Sequence, residues 1–414
     1  MSAPASLRHR RWRAGVLIVL LAGVWAFRAQ TPTPSPIVIL VSLDGFRWDY
    51  LDRGNLPNLS ALAARGVRAD GLIPSYPTFT FPNHYTLATG LLPDHHGIVG
   101  NYMVDPAMPS RFSMWTGPGR DPRWWGGEPI WVTASRNGRR SATMFWPGAE
   151  ARPATVSRPY DDLMPNGERV RQVLEWLALP EASRPSFITL MFTEADDVAH
   201  VAGPESAEIN AAIGRLDQAI GLLIAGIARL NLTDRTTIVV VSDHGMMATS
   251  DRRLIFLDDY LAAGEADVVE AGANLALNPA AGQTVEAIYA KLAGKHPSLP
   301  VYRKADLPAR LRYGSNPRVP AIVGIPEPGW FITSHFSAAS RLAAGPWRGG
   351  AHGYDPRARE MQGIFVAAGP RLKAGQRVPA FDNIHVYAFL CALLNVQPAA
   401  NDGNAAATAA FLIR

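Results

Sequence analysis

Ile37-Val38-Ile39-Leu40-Val41-Ser42-Leu43-Asp44 is a β-branched, almost unbroken apolar run that stops on a carboxylate. A run of this kind, without polar alternation, predicts a strand covered on both faces. Phe187–Thr193, Thr236–Ser242 and Ile364–Ala368 read the same way, and helical patterns alternate with them. The clearest helix carries Ile209, Ile213, Leu216, Ile220, Leu223, Ile227 and Leu230 at alternating gaps of four and three, an apolar stripe down one face. The alternation predicts the α/β class: a mostly parallel sheet flanked by helices on both faces. Ligands of such sheets bind beyond the carboxyl ends of the strands. Asp44, Asp196 and Asp243 each follow a predicted strand within three residues, so they converge on one edge.

With 414 residues, 48% hydrophobic and 18% charged, the chain has the composition of an ordinary globular protein with a sizeable core. Its net charge of +5 does not mark a nucleic-acid surface: Arg8, Arg10, Arg11, Arg13 and Arg28 account for the whole excess, and residues 1–29 hold no acid. These arginines and the uncharged run Ala14–Phe27 predict a signal peptide or signal anchor over 1–29, followed by a Pro-rich linker over 30–36. Fourteen apolar residues fall short of the ~20 that span a bilayer, which favours a secretory signal. The expected location is therefore periplasmic or secreted, or membrane-anchored facing the periplasm if the leader is retained. Cys391 is the single cysteine, so no intramolecular disulfide forms, and its apolar neighbours Phe389, Leu390 and Leu393 place it in the core. Asp267–Leu277, Thr284–Leu292 and Val301–Lys304 carry strand-helix-strand signals of their own, and a cap inserted at about 254–346 is expected over the site.

Asp44, Asp196, His200, Asp243, His244 and His352 offer six oxygen or nitrogen ligands, with the Thr80 hydroxyl beside them in Pro77-Thr78-Phe79-Thr80-Phe81-Pro82-Asn83-His84-Tyr85. Asp196 and His200 share a helix face if Glu194–His200 is helical. Mixed carboxylate and imidazole ligation suits zinc, and six side chains divide naturally between two ions. A threonine hydroxyl is too weakly acidic to attack at neutral pH, and a divalent cation is the usual remedy. A helix expected over Asn83–Thr89 would point free N–H groups at an anion next to Thr80.

Each element has a plainer reading in isolation. Asp44 could cap a helix, Asp196 and His200 could be a surface pair, Asp243-His244 and His352 could be loop residues, and Thr80 and Asn83 could be caps. Six coincidences on one sheet edge favour the metal reading. His84, His95 and His96 are expected to be structural or to orient ligands. Trp115, Trp124, Trp125 and Trp131 either rim a pocket or pack a loop.

The chain resembles the nucleotide pyrophosphatase/phosphodiesterase family of the alkaline phosphatase superfamily, bacterial type. The resemblance rests on Val41-Ser42-Leu43-Asp44-Gly45-Phe46-Arg47, Thr80-Phe81-Pro82-Asn83-His84-Tyr85, Gly97-Ile98-Val99-Gly100-Asn101, Phe145-Trp146-Pro147-Gly148, Val241-Ser242-Asp243-His244-Gly245-Met246 and His352-Gly353-Tyr354. It implies an alkaline-phosphatase-like catalytic domain over 37–403, with 404–414 as a tail. It implies two Zn2+ ions, one on Asp44, Thr80, Asp243 and His244 and a second on Asp196, His200 and His352. Thr80 would attack phosphorus and form a phospho-threonine diester, which water then hydrolyses to release a nucleoside 5'-monophosphate. Asn101 would donate to a non-bridging oxygen, assisted by the Phe81 N–H. Phe81 and Tyr160 match an aromatic pair that sandwiches a nucleobase, with Met114 as an aliphatic wall.

Two departures bear on the substrate: Met191 stands where a phosphate-contacting tyrosine is common, and Glu194-Ala195-Asp196 replaces Glu-Pro-Asp. The expected partner is a small-molecule nucleotide or other phosphodiester, with no specific nucleic-acid binding, no protein partner, and a membrane only if the leader is retained. The alternatives are a lysophospholipid or choline phosphodiesterase on the same scaffold, and a non-catalytic metal-binding protein of the same fold.

Overall fold

A computed structural model of the chain describes residues 1–2, 35–54, 56–114 and 117–413. The expected leader, most of the Pro-rich linker and Trp115 lie outside the described residues. From Ser35 onward the chain is one compact unit around an eight-stranded sheet. Its spatial order is Gln376–Val378, Val67–Ala69, Phe365–Ala368, Thr236–Val241, Ile37–Leu43, Phe187–Phe192, Ser141–Met144 and Val156–Arg158. Five of these strands, from Thr236–Val241 to Val156–Arg158, are parallel neighbours. Phe365–Ala368 runs against both of its neighbours, which makes the sheet mixed.

The apolar runs occupy the middle of the sheet. Every residue of Ile37–Leu43, Phe187–Phe192 and Thr236–Val241 is buried, as the absence of alternation requires. Register then sets where the chemistry falls. Leu43 lies opposite Phe192 and Ser42 opposite Val241, so three central strands end nearly flush. Asp44, the turn leading to Asp196, and Asp243 all emerge from that edge.

Helices Pro57–Ala64, Asn166–Leu177 and Ala207–Arg229 pack together on one side, and Thr80–Thr89, Ile130–Arg136 and His385–Leu394 pack together on the other. Ala207–Arg229 is long and apolar enough to cross a membrane, but its Ile209, Ile213, Leu216, Ile220, Leu223 and Ile227 are all buried in the main core. Cys391 is buried there too. Between Leu254 and Ala343 lies a separate four-stranded sheet with its own core of Leu275, Leu277, Ile288, Leu292 and Ile322. The expected strand Asp267–Leu277 is there a hairpin, Ala266–Ala271 against Leu275–Pro279, because Gly272 at φ 150 lets the chain reverse. Residues 404–413 close back onto the body, where Phe411 packs in the main core and Leu372 bridges Leu412.

The buried stripe carries a stability prediction. Ile220→Ala deletes a fully buried side chain and is expected to lower unfolding free energy by roughly 2–5 kcal/mol in a denaturant titration. Leu222→Ala, on the exposed face of the same helix, should change it by less than about 0.5 kcal/mol.

Candidate metal centre and active site

The strand-end turns bring the three acids together. Gly45, at φ 65, has the Cα of Asp196 2.9 Å from the place a Cβ would occupy, so only glycine lets the Asp44 turn approach the Asp196 helix this closely. The same glycine donates its N–H to Asp243 Oδ1 at 3.3 Å. Asp196 and His200 lie on helix Glu194–Ala202, one turn apart, with His200 Nε2 3.3 Å from Asp196 Oδ2. His352 follows the short strand Gly350–Ala351, and its Nε2 is 3.1 Å from His200 Nε2 and 3.6 Å from Asp196 Oδ1. His244 Nε2 lies 3.0 Å from Asp243 Oδ2, 3.5 Å from Asp44 Oδ1 and 3.2 Å from the Thr80 hydroxyl. All six expected side chains and Thr80 thus meet at one place. Among the described residues three groupings have ligand atoms close enough to share an ion: Asp196, His200 and His352; Asp44, Asp196 and His244; and Asp44, His84 and Asp243.

The donor set fits a cation. His200, His244 and His352 each use Nδ1 on a backbone carbonyl, of Gly350, Gly245 and Thr78 respectively, which directs every Nε2 inward. Asp44 Oδ1, Asp196 Oδ1 and Asp243 Oδ2 are buried without a well-directed hydrogen bond. Burial, followed by the neighbouring Asp243 and Asp196 carboxylates, drives the Asp44 carboxyl well above its usual range. Burial also works against the charges on Asp196 and Asp243, but the imidazoles of His200 and His244 outweigh it and hold both acids low. The price on the histidines is uneven: burial and His244 push His352 down to about 3, while Asp196 lifts His200 to about 9 against its own burial. Protons alone leave such a cluster in conflict, whereas a divalent cation between the acids favours every charged carboxylate at once.

Thr80 opens the helix Thr80–Thr89 rather than preceding it, with Phe79 at the cap and no side-chain cap bond. The expected row of free N–H groups is shorter than the sequence implies. Pro82 has none, and the Phe81 N–H is donated to Asn101 Oδ1 at 3.0 Å. In this structure the Phe81 N–H orients the Asn101 side chain. With its oxygen taken up, the Asn101 side chain has its NH2 group as its remaining donor. The Asn101 carbonyl in turn accepts the Met114 N–H at 3.2 Å, tying these two residues together.

His84 lies beneath the site and is fully buried, with Nε2 2.8 Å from Ser42 Oγ and Nδ1 2.9 Å from the Thr80 carbonyl and 3.2 Å from Asp243. His96 bonds Thr86 and the Ile98 N–H, and His95 pairs with Asp402, both in structural roles. Trp124 and Trp131 are core residues; Trp125 is buried but also borders the cavity.

A cavity of about 800 Å³ opens over Thr80. Asp44, Asp196, His200, His352, Asn101, Phe81, Met114, Tyr160 and Met191 all line it. The Phe81 ring packs on Phe112 and Trp125, and Tyr160 packs edge-on against Phe145 at 5.3 Å; the two make no ring contact with each other. The cap contributes Glu270, Phe331 and the neighbouring Trp347, none of which sequence reading singled out. No local motif marks them, because their relation to Thr80 depends on how the cap folds over the sheet.

A mixed α/β sheet with acids and inward-facing histidines gathered at its carboxyl edge is able to hold cations there, and the comparisons give the family. The family model described as type I phosphodiesterase / nucleotide pyrophosphatase matches residues 38–355, and the chain belongs to that family. An uncharacterized pyrophosphatase/phosphodiesterase of Schizosaccharomyces pombe is 37% identical over 416 residues, 94% of this chain and 85% of the relative. Human ectonucleotide pyrophosphatase/phosphodiesterase family member 1 is 37% identical over 89% of this chain. The chain spans only 41% of that human relative, and 45% of a venom phosphodiesterase of Crotalus durissus collilineatus. Murine ectonucleotide pyrophosphatase / phosphodiesterase 5 superposes with a TM-score of 0.86 at 34% identity, covering 91% of this chain and 100% of the murine one. The inactive murine protein has also been solved in complex with AMP.

Glu270 carries a pH prediction. Burial in the cavity wall raises its carboxyl to about 7, above its unfolded value, so its ionisation opposes folding and stability is lost as pH rises through about 7. Glu270→Gln removes that term. The variant should match the wild type near pH 4 and exceed it in unfolding free energy, on the order of 1–3 kcal/mol, at pH 8.5.

Proposed function

We propose that this protein hydrolyses nucleotide phosphodiester and pyrophosphate bonds, with Thr80 as nucleophile and release of nucleoside 5'-monophosphates. The observation that carries this reading is the convergence of three buried carboxylate oxygens without a well-directed hydrogen bond and three inward Nε2 atoms near the Thr80 hydroxyl. Asp44, Asp243 and His244 would hold one divalent cation together with Thr80, and Asp196, His200 and His352 a second, with zinc preferred for this mixed ligand set. When bound, the ions would withdraw charge from the phosphoryl group and from the attacking and leaving oxygens.

The chain's own residues do the rest. Thr80 Oγ1 forms the bond to phosphorus as the alcohol or phosphate departs in line. Water then cleaves the phospho-threonine diester, which frees Thr80 and releases the monophosphate. Asn101, held by the Phe81 N–H, offers a neutral amide to a non-bridging oxygen. A neutral donor suits the single charge of a diester better than the double charge of a monoester. Phe81, Tyr160 and Met114 supply the wall for the base, and the cavity is of the size nucleotide ligands occupy. A domain spanning 37–403 with its cap over the cavity, exported behind the 1–29 leader, completes the reading.

The test is a zinc-reconstituted assay of the full chain comparing a chromogenic thymidine monophosphate ester, a plain phosphate monoester and a lysophospholipid. The diester should be preferred over the monoester and the lipid. Thr80→Ala should lose about a thousandfold or more in kcat while keeping its bound cation, and Asn101→Ala about a hundredfold. Lipid preference would reassign the substrate, and full cation loading without turnover of any of the three would refute the catalytic reading.

A further inference from the structure

Arg47 lies three residues beyond Asp44 and is buried, yet it touches neither the cavity nor any ligand group. Its guanidinium makes four bonds in three directions. Nε and Nη2 form a fork on Asp49 at 2.6 and 2.9 Å, Nη2 also reaches Glu205, and Nη1 donates to the Met246 carbonyl at 3.2 Å. Arg53 completes the group: its Nε and Nη2 bond Asp49 at 2.9 and 2.6 Å, Nη2 meets Glu205 at 2.7 Å, and Nη1 reaches the Pro204 carbonyl. Both guanidinium groups stack over the buried Tyr50 ring, at 5.4 and 4.7 Å.

The partners are the three chain segments that carry the inward-facing acids. Asp44 precedes Arg47 on one segment. Met246 is two residues past His244 on the second. Pro204 and Glu205 directly follow Gly203, the cap of the helix bearing Asp196 and His200. Two cations and two anions make the group neutral, so it adds no net field at the site and acts through position. A guanidinium is suited to that task because its donors are held in one rigid plane, and groups that orient metal ligands affect how tightly the metal is held.

We propose that Arg47, with Asp49, Arg53 and Glu205, is a clasp that sets the spacing between the Asp44/Asp243/His244 group and the Asp196/His200 group. Arg47 is thus a positioning residue for the bound cations. This rests on the cation reading given under the proposed function.

The experiment loads the full chain with zinc, adds excess chelator and follows release with a zinc-responsive dye, with thermal unfolding recorded in parallel. Arg47→Gln should release zinc about 10–100-fold faster. Arg47→Lys should remain several-fold faster than wild type, since an ammonium cannot keep the fork on Asp49 and still reach Met246 and Glu205. Glu205→Gln, at an exposed residue that leaves the core intact, should accelerate release to a smaller degree, and Arg171→Gln, in an exposed helix pair, should not. A lowered Tm in Arg47→Gln with wild-type release would overturn the clasp, as would unchanged release in Glu205→Gln if Arg47→Gln fails to fold. A wild-type chain that takes up no zinc would instead refute the cation reading itself.

Discussion

Asp44, Asp196 and Asp243 are held at one end of the sheet, each with a buried carboxylate oxygen that lacks a well-directed hydrogen bond. Confining like charges in this way costs several kcal/mol per group unless an opposite charge is present. The surroundings are arranged to tolerate the confinement rather than relieve it. Gly45 permits the close approach, three backbone carbonyls fix the histidine rings, and His84 braces Asp243 from beneath. An arrangement that gathers negative charge and aims lone pairs inward is explained by a cation it receives.

The sheet and the cap divide the work. Flush strand ends place the acids, the helix Thr80–Thr89 places the hydroxyl, and both belong to the rigid centre of the fold. The walls of the cavity come from elsewhere: the segment holding Met114, the irregular stretch holding Tyr160, and the cap strand holding Glu270. The acids and the hydroxyl thus sit on the central sheet and its adjoining helices, and the walls of the cavity on segments outside it. The chain covers the whole of the murine structure but less than half of the human family member 1.

How much of this was legible beforehand differs residue by residue. The buried strands could be read because Ile37–Leu43 and Thr236–Val241 lack polar alternation, a local property. The reversed direction of Phe365–Ala368 could not, since strand polarity is set by the connection and leaves no mark on the apolar run itself. Asp196 and His200 could be paired from helical spacing. The bond from the Phe81 N–H to Asn101 could not, because it joins residues 20 positions apart through a turn of unknown path. Arg47 stands within a quoted motif, but its partners Glu205 and Met246 lie 158 and 199 positions away.

The sequence by itself determined which side chains are chemically able to hold a cation and attack phosphorus, and that strand ends would present them on one side. Both follow from residue type and short-range periodicity. Only the tertiary structure decided which hydrogen bond each group makes, which face of the cavity the cap supplies, and which distant charges brace the ligands. Those outcomes depend on contacts between segments hundreds of residues apart, and the energy that selects among them belongs to the packed whole.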